Sequence, residues 1–280
     1  DIRELLDSTD FGESIRHVSG FAALAEYAES SEHNEMDFKI VGGNSRLVEK
    51  LVEKVGADRI KLDHEAISVS YAGKRVVVTV QIGGKAYENF EADQLVCAIP
   101  TFALHRIAWK PVFPEDKLWA LDALQYARIH KTALVFDEKV WKEEDFDMVT
   151  DLYGHYFYNA TKNQPSKKGA LIAYVCGDKA DVIGRQDEDF RRQVVLDTLK
   201  PAFGDVSKLI SKQVSYYWGN DPYSKGAYAL YGNGQWFGLM PAMKKSVGRV
   251  HFAGEHVADW QGFMEGAVVS GEEAAEAVMG

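Results

Sequence analysis

The sequence predicts a mixed α/β (α+β) fold, and three features of its patterning predict it. Between Ile60 and Phe90 apolar residues recur with a period of two, as on strands that turn one face toward a core. From Ser45 to Val55 and from Asp187 to Lys200 they recur at three- and four-residue steps, the spacing of one helical face. Near the C-terminus, Arg249 to Ala253 reads as a short buried strand bounded by Gly248 and Gly254, which runs through a loop into a helix from about Gly262, with Phe263, Ala267, Val268, Gly271, Ala274, Ala275 and Val278 at helical spacing. A strand that passes through a glycine-containing loop into a helix presents free backbone N–H groups at its carboxyl end, where a ligand can be held.

With 280 residues, 46% of them hydrophobic, the chain can bury one large core or two modest ones. No apolar run approaches the roughly 20 residues that span a bilayer, so no transmembrane segment is expected. No charged-then-apolar leader opens the sequence, which begins at Asp1 inside a helical pattern. A formal net charge of −10 opposes nucleic acid and anionic membrane surfaces, so no nucleic-acid partner is expected. Cys97 and Cys176 stand in separate strand-like contexts, without CxxC spacing or a nearby histidine cluster. Both read as buried thiols rather than a disulfide or a metal site. The compartment is left open, with the cytoplasm slightly favoured.

Taken in order, residues 1–38 carry a helical pattern through Ile2, Leu5, Leu6, Phe11 and Ile15, then Phe21, Leu24, Ala25 and Ala28. Polar breaks fall at Ser8 to Asp10 and at Ser30 to Glu35. Phe38 to Asn44 leads into the helix over Ser45 to Val55, with Leu47, Val48, Leu51, Val52 and Val55 on one face. The paired glycines Gly42-Gly43 fit either a tight turn or a backbone approach to phosphate. Ile67 to Tyr71, Lys74 to Ile82 and Ala86 to Phe90 read as strands, with turns at Ala72-Gly73 and Gly83-Gly84. Gln94 to Pro100 reads as a fully buried strand.

A different region follows. Pro111 to Pro114 reads as a linker, Glu115 to Tyr126 as a helix and Ile129 to Phe136 as a strand. Tyr153 to Tyr158 and Gly169 to Val175 form a hairpin-like pair. Asp187 to Lys200 is an amphipathic helix with Phe190, Val194, Val195, Thr198 and Leu199 inward. Lys131 is the sharpest single candidate for chemistry: a cation inside an apolar strand is costly unless paired or solvated, and by itself fits an exposed edge as well as a site. Trp218, Tyr223, Tyr228 and Phe263 fit either core packing or an aromatic clamp. There is no Ser-His-Asp, HExxH or paired-acid constellation, and His105, His130, His251 and His256 are scattered.

The string Phe252-Ala253-Gly254-Glu255-His256, followed by Gly262-Phe263-Met264-Glu265-Gly266-Ala267 and closed by Ser270-Gly271-Glu272, resembles the C-terminal flavin motif of the flavin-containing amine oxidases. That family includes monoamine, polyamine and L-amino-acid oxidases. Gly42-Gly43, Ala98-Ile99-Pro100 and the Trp218, Asp221, Gly226-Ala227-Tyr228 segment extend the resemblance over about residues 39–280. It implies an incomplete FAD-binding Rossmann-like domain from residues 39–110 and 221–280. It also implies a substrate domain of mixed sheet and helices over 111–220, to which 1–38 adds a helical part.

The same resemblance implies roles for individual residues. Lys131 would hold a water against the flavin N5, as the catalytic lysine. Tyr228 and Phe263 would be two facing rings that clamp an amine, Phe263 standing where monoamine oxidases have Tyr. The backbone at Ala66 would meet adenine; Gly254 and Glu255 the ribose or pyrophosphate side; Trp260 the flavin ring; and Met264 its pyrimidine edge at a helix start. Ala227 stands where monoamine oxidases bond their flavin to a Cys, so FAD is expected to be noncovalent.

The implied reaction passes hydride from an amine or L-amino acid to flavin, giving an imine, and dioxygen then reoxidises the flavin with release of hydrogen peroxide. The Gly-x-Gly-x-x-Gly turn that cradles the FAD pyrophosphate has no counterpart, since Gly232-Asn233-Gly234 has the wrong spacing and context. The chain is therefore expected to be a C-terminal fragment, a processed chain or a subunit whose companion supplies that turn, and to bind FAD poorly and be inactive by itself. The alternatives are a noncatalytic binding module of this fold, or a related flavin desaturase or porphyrinogen-type oxidase.

Overall fold

The computed structural model describes Arg3, Leu6, Asp7 and residues 11–29 and 38–280, apart from the side chains of Glu26, Tyr27 and Glu29. The chain divides into two compact units. One, the parallel-strand unit, comprises residues 19–29, 51–125 and 228–280; the other, the five-stranded unit, comprises 126–227 with the described parts of 1–18 and 30–50. Beyond Leu51 the chain changes unit after Gln125 and again after Ala227. Among the described residues no helix is long and apolar enough to cross a membrane.

Of the helical pattern expected over 1–38, Ile2, Leu5, Ser8 to Asp10 and Ser30 to Glu35 lie outside the described residues. Arg3, Leu6 and Asp7 are helical as expected, Phe11 to Ser19 runs in bends and turns, and helix α1 follows over Gly20–Glu29. Ser19 explains the late start: its hydroxyl accepts from Ala22 N–H at 3.4 Å and its own N–H donates to Tyr231 O at 2.7 Å, so it caps the first turn. Helix α2 (Ser45–Val55) has the expected apolar face, yet none of its residues is buried, and Val48 is 61% exposed.

Strands β1 (His64–Ser70), β2 (Val76–Ile82) and β3 (Ala86–Ala92) pair antiparallel through the Gly83-Gly84 turn and the Tyr71 to Arg75 link. A register shift between Ala66 and Ser68 bulges β1. Strand β5 (Ala108–Lys110) pairs parallel with β1 only from Ser68 to Ser70, giving the order β3-β2-β1-β5. The strand expected over Gln94 to Pro100 is shorter: β4 (Leu95–Cys97) leads to helix α3 (Thr101–Leu104). It is not fully buried either, because alternate side chains point to opposite faces; Cys97 is buried while Val96 is 40% exposed.

Pro111 to Pro114 is no free linker. Phe113 is buried, its ring 4.3 Å from Trp109, 5.8 Å from Phe252 and 6.0 Å from Tyr71. Helix α4 (Glu115–Ala123) then ends before Tyr126 because Leu124 turns extended. Its Lys117 is buried, against the usual habit of lysine. The ammonium donates to Met243 O at 2.6 Å, in the last turn of a later helix where carbonyls lack helical donors, and lies 3.6 Å over the Phe252 ring.

In the five-stranded unit, β6 (Ile129–Phe136) coincides with its expected span. It is joined by β7 (Asp147–Val149), β8 (Tyr156–Asn159), β9 (Gly169–Cys176) and, after helices α5 (Gly177–Gly184) and α6 (Glu188–Phe203), by β10 (Ile210–Tyr217). The order is β10-β6-β9-β8-β7, with every neighbouring pair antiparallel. Leu134, Phe136, Phe157, Leu171 and Ala173 pack against Val195 and Leu199 of α6 to form the core. Asp187 caps α6 by accepting from Phe190 N–H at 2.8 Å. Val195, Thr198 and Leu199 point inward as expected, but Phe190, in the first turn, is exposed.

The chain then supplies helix α7 (Trp236–Lys244), which contains Met243, strand β11 (Val250–Phe252) and helix α8 (Met264–Met279). Strand β11 pairs parallel with β4, and Ala253 N–H extends the ladder to Cys97 O at 2.9 Å. The buried face of α8 is Gly266, Ser270 and Ala274; of the expected face Ala274 is therefore inward, whereas Ala267, Val268 and Val278 are exposed. Gly266 lets the helix approach the loop before it, since a Cβ there would meet the Trp260 carbonyl.

Two buried histidines make the fold acid-sensitive. His130 is 1% exposed, with neither ring nitrogen hydrogen-bonded among the described residues, and His256 is 4% exposed. Burial first, then the charges of Arg191 and Lys117 respectively, lowers each from 6.5 to about 4. The unfolded chain takes up these protons near 6.5, the folded chain only near 4. Stability is therefore expected to be full above pH 6.5 and to fall as pH drops toward 4. Urea midpoints across that interval check this, and His130→Leu should flatten the slope.

Candidate active site

The strand alternation in the five-stranded unit sorts the side chains of β6. His130, Thr132, Leu134 and Phe136 are buried on the helix-covered face, so Lys131 projects from the opposite one. Opposite Lys131 in the ladder stand Tyr174 of β9 and Tyr216 of β10, and Tyr156 stands opposite Tyr174. The Lys131 ammonium lies 4.9 Å from the Tyr174 ring centroid and 5.9 Å from those of Tyr158 and Trp218. These rings hold the cation through their faces. Among the described residues, Lys131 has neither a hydrogen bond nor an ion pair. Its pKa is lowered, by burial first and then by the charge of Lys39.

In the parallel-strand unit the site residues cluster after β11. Gly254 adopts φ +122°, and a Cβ there would stand 2.6 Å from the His256 ring. The buried Ser270 hydroxyl brackets this glycine: it accepts from Gly254 N–H at 2.9 Å, and lies 3.0 Å from Gly254 O. The carboxylate of Glu255 accepts from Ala229 N–H at 3.0 Å and from Gly262 N–H at 2.7 Å. Burial pushes its pKa up, opposed by those two donors. The contacts the structure gives Glu255 are thus to backbone, where they tie residue 229 to the turn before α8.

Tyr228 lies over that turn, since a Cβ on Gly262 would be 3.4 Å from its ring. Phe263 follows, with its ring 5.1 Å from that of Trp260. Tyr228 and Phe263 thus flank Gly262. Met264, the first residue of α8, is 51% exposed. The N-terminal turn of α8 has no side-chain cap, which leaves its amides to a ligand. Ala66 falls on the bulge of β1, where β5 does not reach, so its backbone has no strand partner on that edge.

These residues fit a flavin. Among the described residues, the indole N–H of Trp260 and the side-chain oxygen of Gln261 are buried without a hydrogen-bond partner. Such groups are costly unless a ligand or water pairs with them. Together with the α8 amides, they offer donors and an acceptor to a planar heteroaromatic ring.

A family model described as flavin containing amine oxidoreductase matches residues 4–279, and the chain belongs to that family. The description of that family names flavin and the oxidation or reduction of amines. The chain is 27% identical over 252 residues to amine oxidase (flavin-containing) A of Equus caballus, covering 86% of this chain and 46% of that protein. It is 26% identical over 275 residues to the L-amino-acid oxidase of Gloydius halys, covering 96% and 52%. The chain thus spans about half the length of the curated relatives it matches. Its fold superposes on cyclohexylamine oxidase from Brevibacterium oxydans IH-35A with a TM-score of 0.80, at 20% identity, over 99% of this chain and 63% of that one. On wild-type putrescine oxidase bound to putrescine the TM-score is 0.77, at 21% identity, over 86% and 54%.

The sequence reading missed Ser270, marked only as the first residue of the closing Ser-Gly-Glu string, and the wall of Tyr156, Tyr158 and Tyr174. Alternation along each strand was the available signal for that wall, but the register between strands was needed to assemble it. The tightest point of the loop supplies a test. A Cβ on Gly266 would stand 2.0 Å from Trp260 O. Gly266→Ala is expected to destabilise the chain by about 2 kcal/mol or more, as overpacking does, and to raise amide exchange from Trp260 to Gly262 above that of the wild type.

Proposed function

We propose that this chain works in the FAD-dependent oxidation of an amine or L-amino acid to an imine, with release of hydrogen peroxide. In this reading the five-stranded unit is the substrate domain and the parallel-strand unit is part of the FAD-binding domain. The observation that carries it is Lys131: a half-buried lysine held by aromatic faces with no acid beside it is poor structure but serviceable chemistry. Bound without a covalent bond, FAD would supply the redox chemistry that links hydride loss at the substrate α-carbon to reduction of dioxygen.

The residues of the chain do the rest. Lys131 holds a water and its protons in place, Tyr228 and Phe263 bind the substrate by their faces, and Trp260 excludes solvent. The α8 amides, from Met264 onward, stabilise negative charge at a helix N-terminus. Glu255 keeps that turn in position, and Gly254 and the Ala66 backbone are left to the nucleotide. The Gly-rich pyrophosphate turn comes from a companion segment or subunit, a reading supported by the share of the relatives' length that the chain covers.

The visible absorption spectrum of the purified chain, before and after FAD, tests the companion. A chain that stays colourless through gel filtration supports it, whereas a stable flavin spectrum means that the chain holds cofactor unaided. With flavin loaded, peroxide release across a panel of monoamines, diamines and amino acids tests the reaction; no release from any of them sinks it in favour of a noncatalytic module. Lys131→Met is expected to slow substrate-dependent flavin reduction about 100-fold while leaving the flavin spectrum in place.

A further inference from the structure

On the tyrosine-rich face of the five-stranded sheet, two ammonium groups share one ring. Lys39 Nζ lies 5.2 Å, and Lys131 Nζ 5.9 Å, from the centroid of Tyr158. We propose that Lys39 is a positioning residue for Lys131: its charge, set on the same ring, favours the uncharged form of the Lys131 amine, whose lone pair can accept a proton. The proposal rests on the reading of Lys131 as the reacting lysine and deepens it.

The surroundings are asymmetric, and the asymmetry decides which lysine gives up its proton. From β7, Asp147 acts on Lys39, opposing the burial that lowers it, while Lys162 adds to the lowering. Lys162 is itself paired with Asp145 at 2.5 Å. On Lys131 the two influences, burial and the charge of Lys39, act in the same direction. The remaining titratable groups on this face are phenols. Those of Tyr156 and Tyr158 are pushed up, by burial first and then by Asp147, the latter to about 12, so both stay neutral. Tyr216, opposite Lys131, donates its hydroxyl to Asp221, which occupies that carboxylate. Two like charges on one ring therefore shed the first proton from Lys131, the member without an acid.

An uncharged amine there matters for the reaction. A charged Lys131 can only donate and would repel a cationic substrate, whereas the neutral amine accepts a proton from substrate or water and restores it through the same site. No covalent step is involved.

The test titrates Lys131 directly in the 280-residue chain labelled with 13C-lysine, its resonance assigned by its loss in Lys131→Arg. The Lys131 midpoint is expected to rise in Lys39→Met, to rise further in Lys39→Glu, and to stay at the wild-type position in Lys39→Arg, which keeps the charge. An unchanged midpoint in Lys39→Met overturns the proposal, as does an equal rise in Lys39→Arg, which would mean that packing rather than charge is responsible. Amide spectra confirm the fold of each variant, and Lys39→Gln replaces Lys39→Met if the latter does not fold. The measurement needs no flavin, so its failure is distinct from a failure to bind FAD or release peroxide.

Discussion

The turn that opens α8 depends on one buried carboxylate. Glu255 takes the N–H groups of Ala229 and Gly262, two backbone donors separated by most of the C-terminal segment, and holds both against the end of β11. Removing it would leave two buried amides without acceptors, each costing about 1–3 kcal/mol. Ser270 makes the complementary tie from the helix side, onto Gly254. Gly266 then lets α8 close on the Trp260 carbonyl. Tyr228, Trp260, Phe263 and the first amides of α8 owe their positions to these three residues.

The five-stranded unit solves a different problem. Its sheet buries one face under α5 and α6, where Phe136, Phe157 and Leu171 are fully covered, and leaves the other face to polar-tipped aromatics. A lysine on the buried face would be prohibitively costly, but on the tyrosine face the rings support its charge or its neutral form at modest cost. Period-two alternation is thus what makes Lys131 tolerable one residue away from His130, whose unpaired ring is wholly inside. The neighbours differ in environment because a strand turns successive side chains to opposite faces.

The parallel-strand unit shows how a polar residue is held where an apolar one is usual. Lys117 caps the last turn of α7 through Met243 O and lays its ammonium on Phe252, the last residue of β11. Burial lowers it to about 7, so near neutrality the contact alternates between a charged and a neutral donor, and both forms can reach the carbonyl. Phe113 and Trp109 pack beside it and fasten the segment from Pro111 to Pro114 to the sheet.

Local patterns in the chain determined a good deal. Period-two runs marked β1, β2, β3 and β6, because a half-buried strand writes its alternation into the sequence. The string from Phe252 to Glu272 marked the strand, loop and helix and, through its resemblance, the family. Helix faces were legible in period but not in phase: α8 buries Gly266, Ser270 and Ala274 because a close approach selects small residues, which carry little hydrophobic signal. The bend from Phe11 to Ser19, the shortness of β4 and the anchoring of Phe113 were decided by partners distant in sequence. So was the setting of Lys131, where Tyr174, Tyr158, Trp218 and Lys39 converge only once the strand register is set. Sequence alone determined which elements form and to which family they belong, since propensity and periodicity are local. Tertiary structure alone decided which side chains meet, since register, burial and charge coupling act between segments the sequence keeps apart.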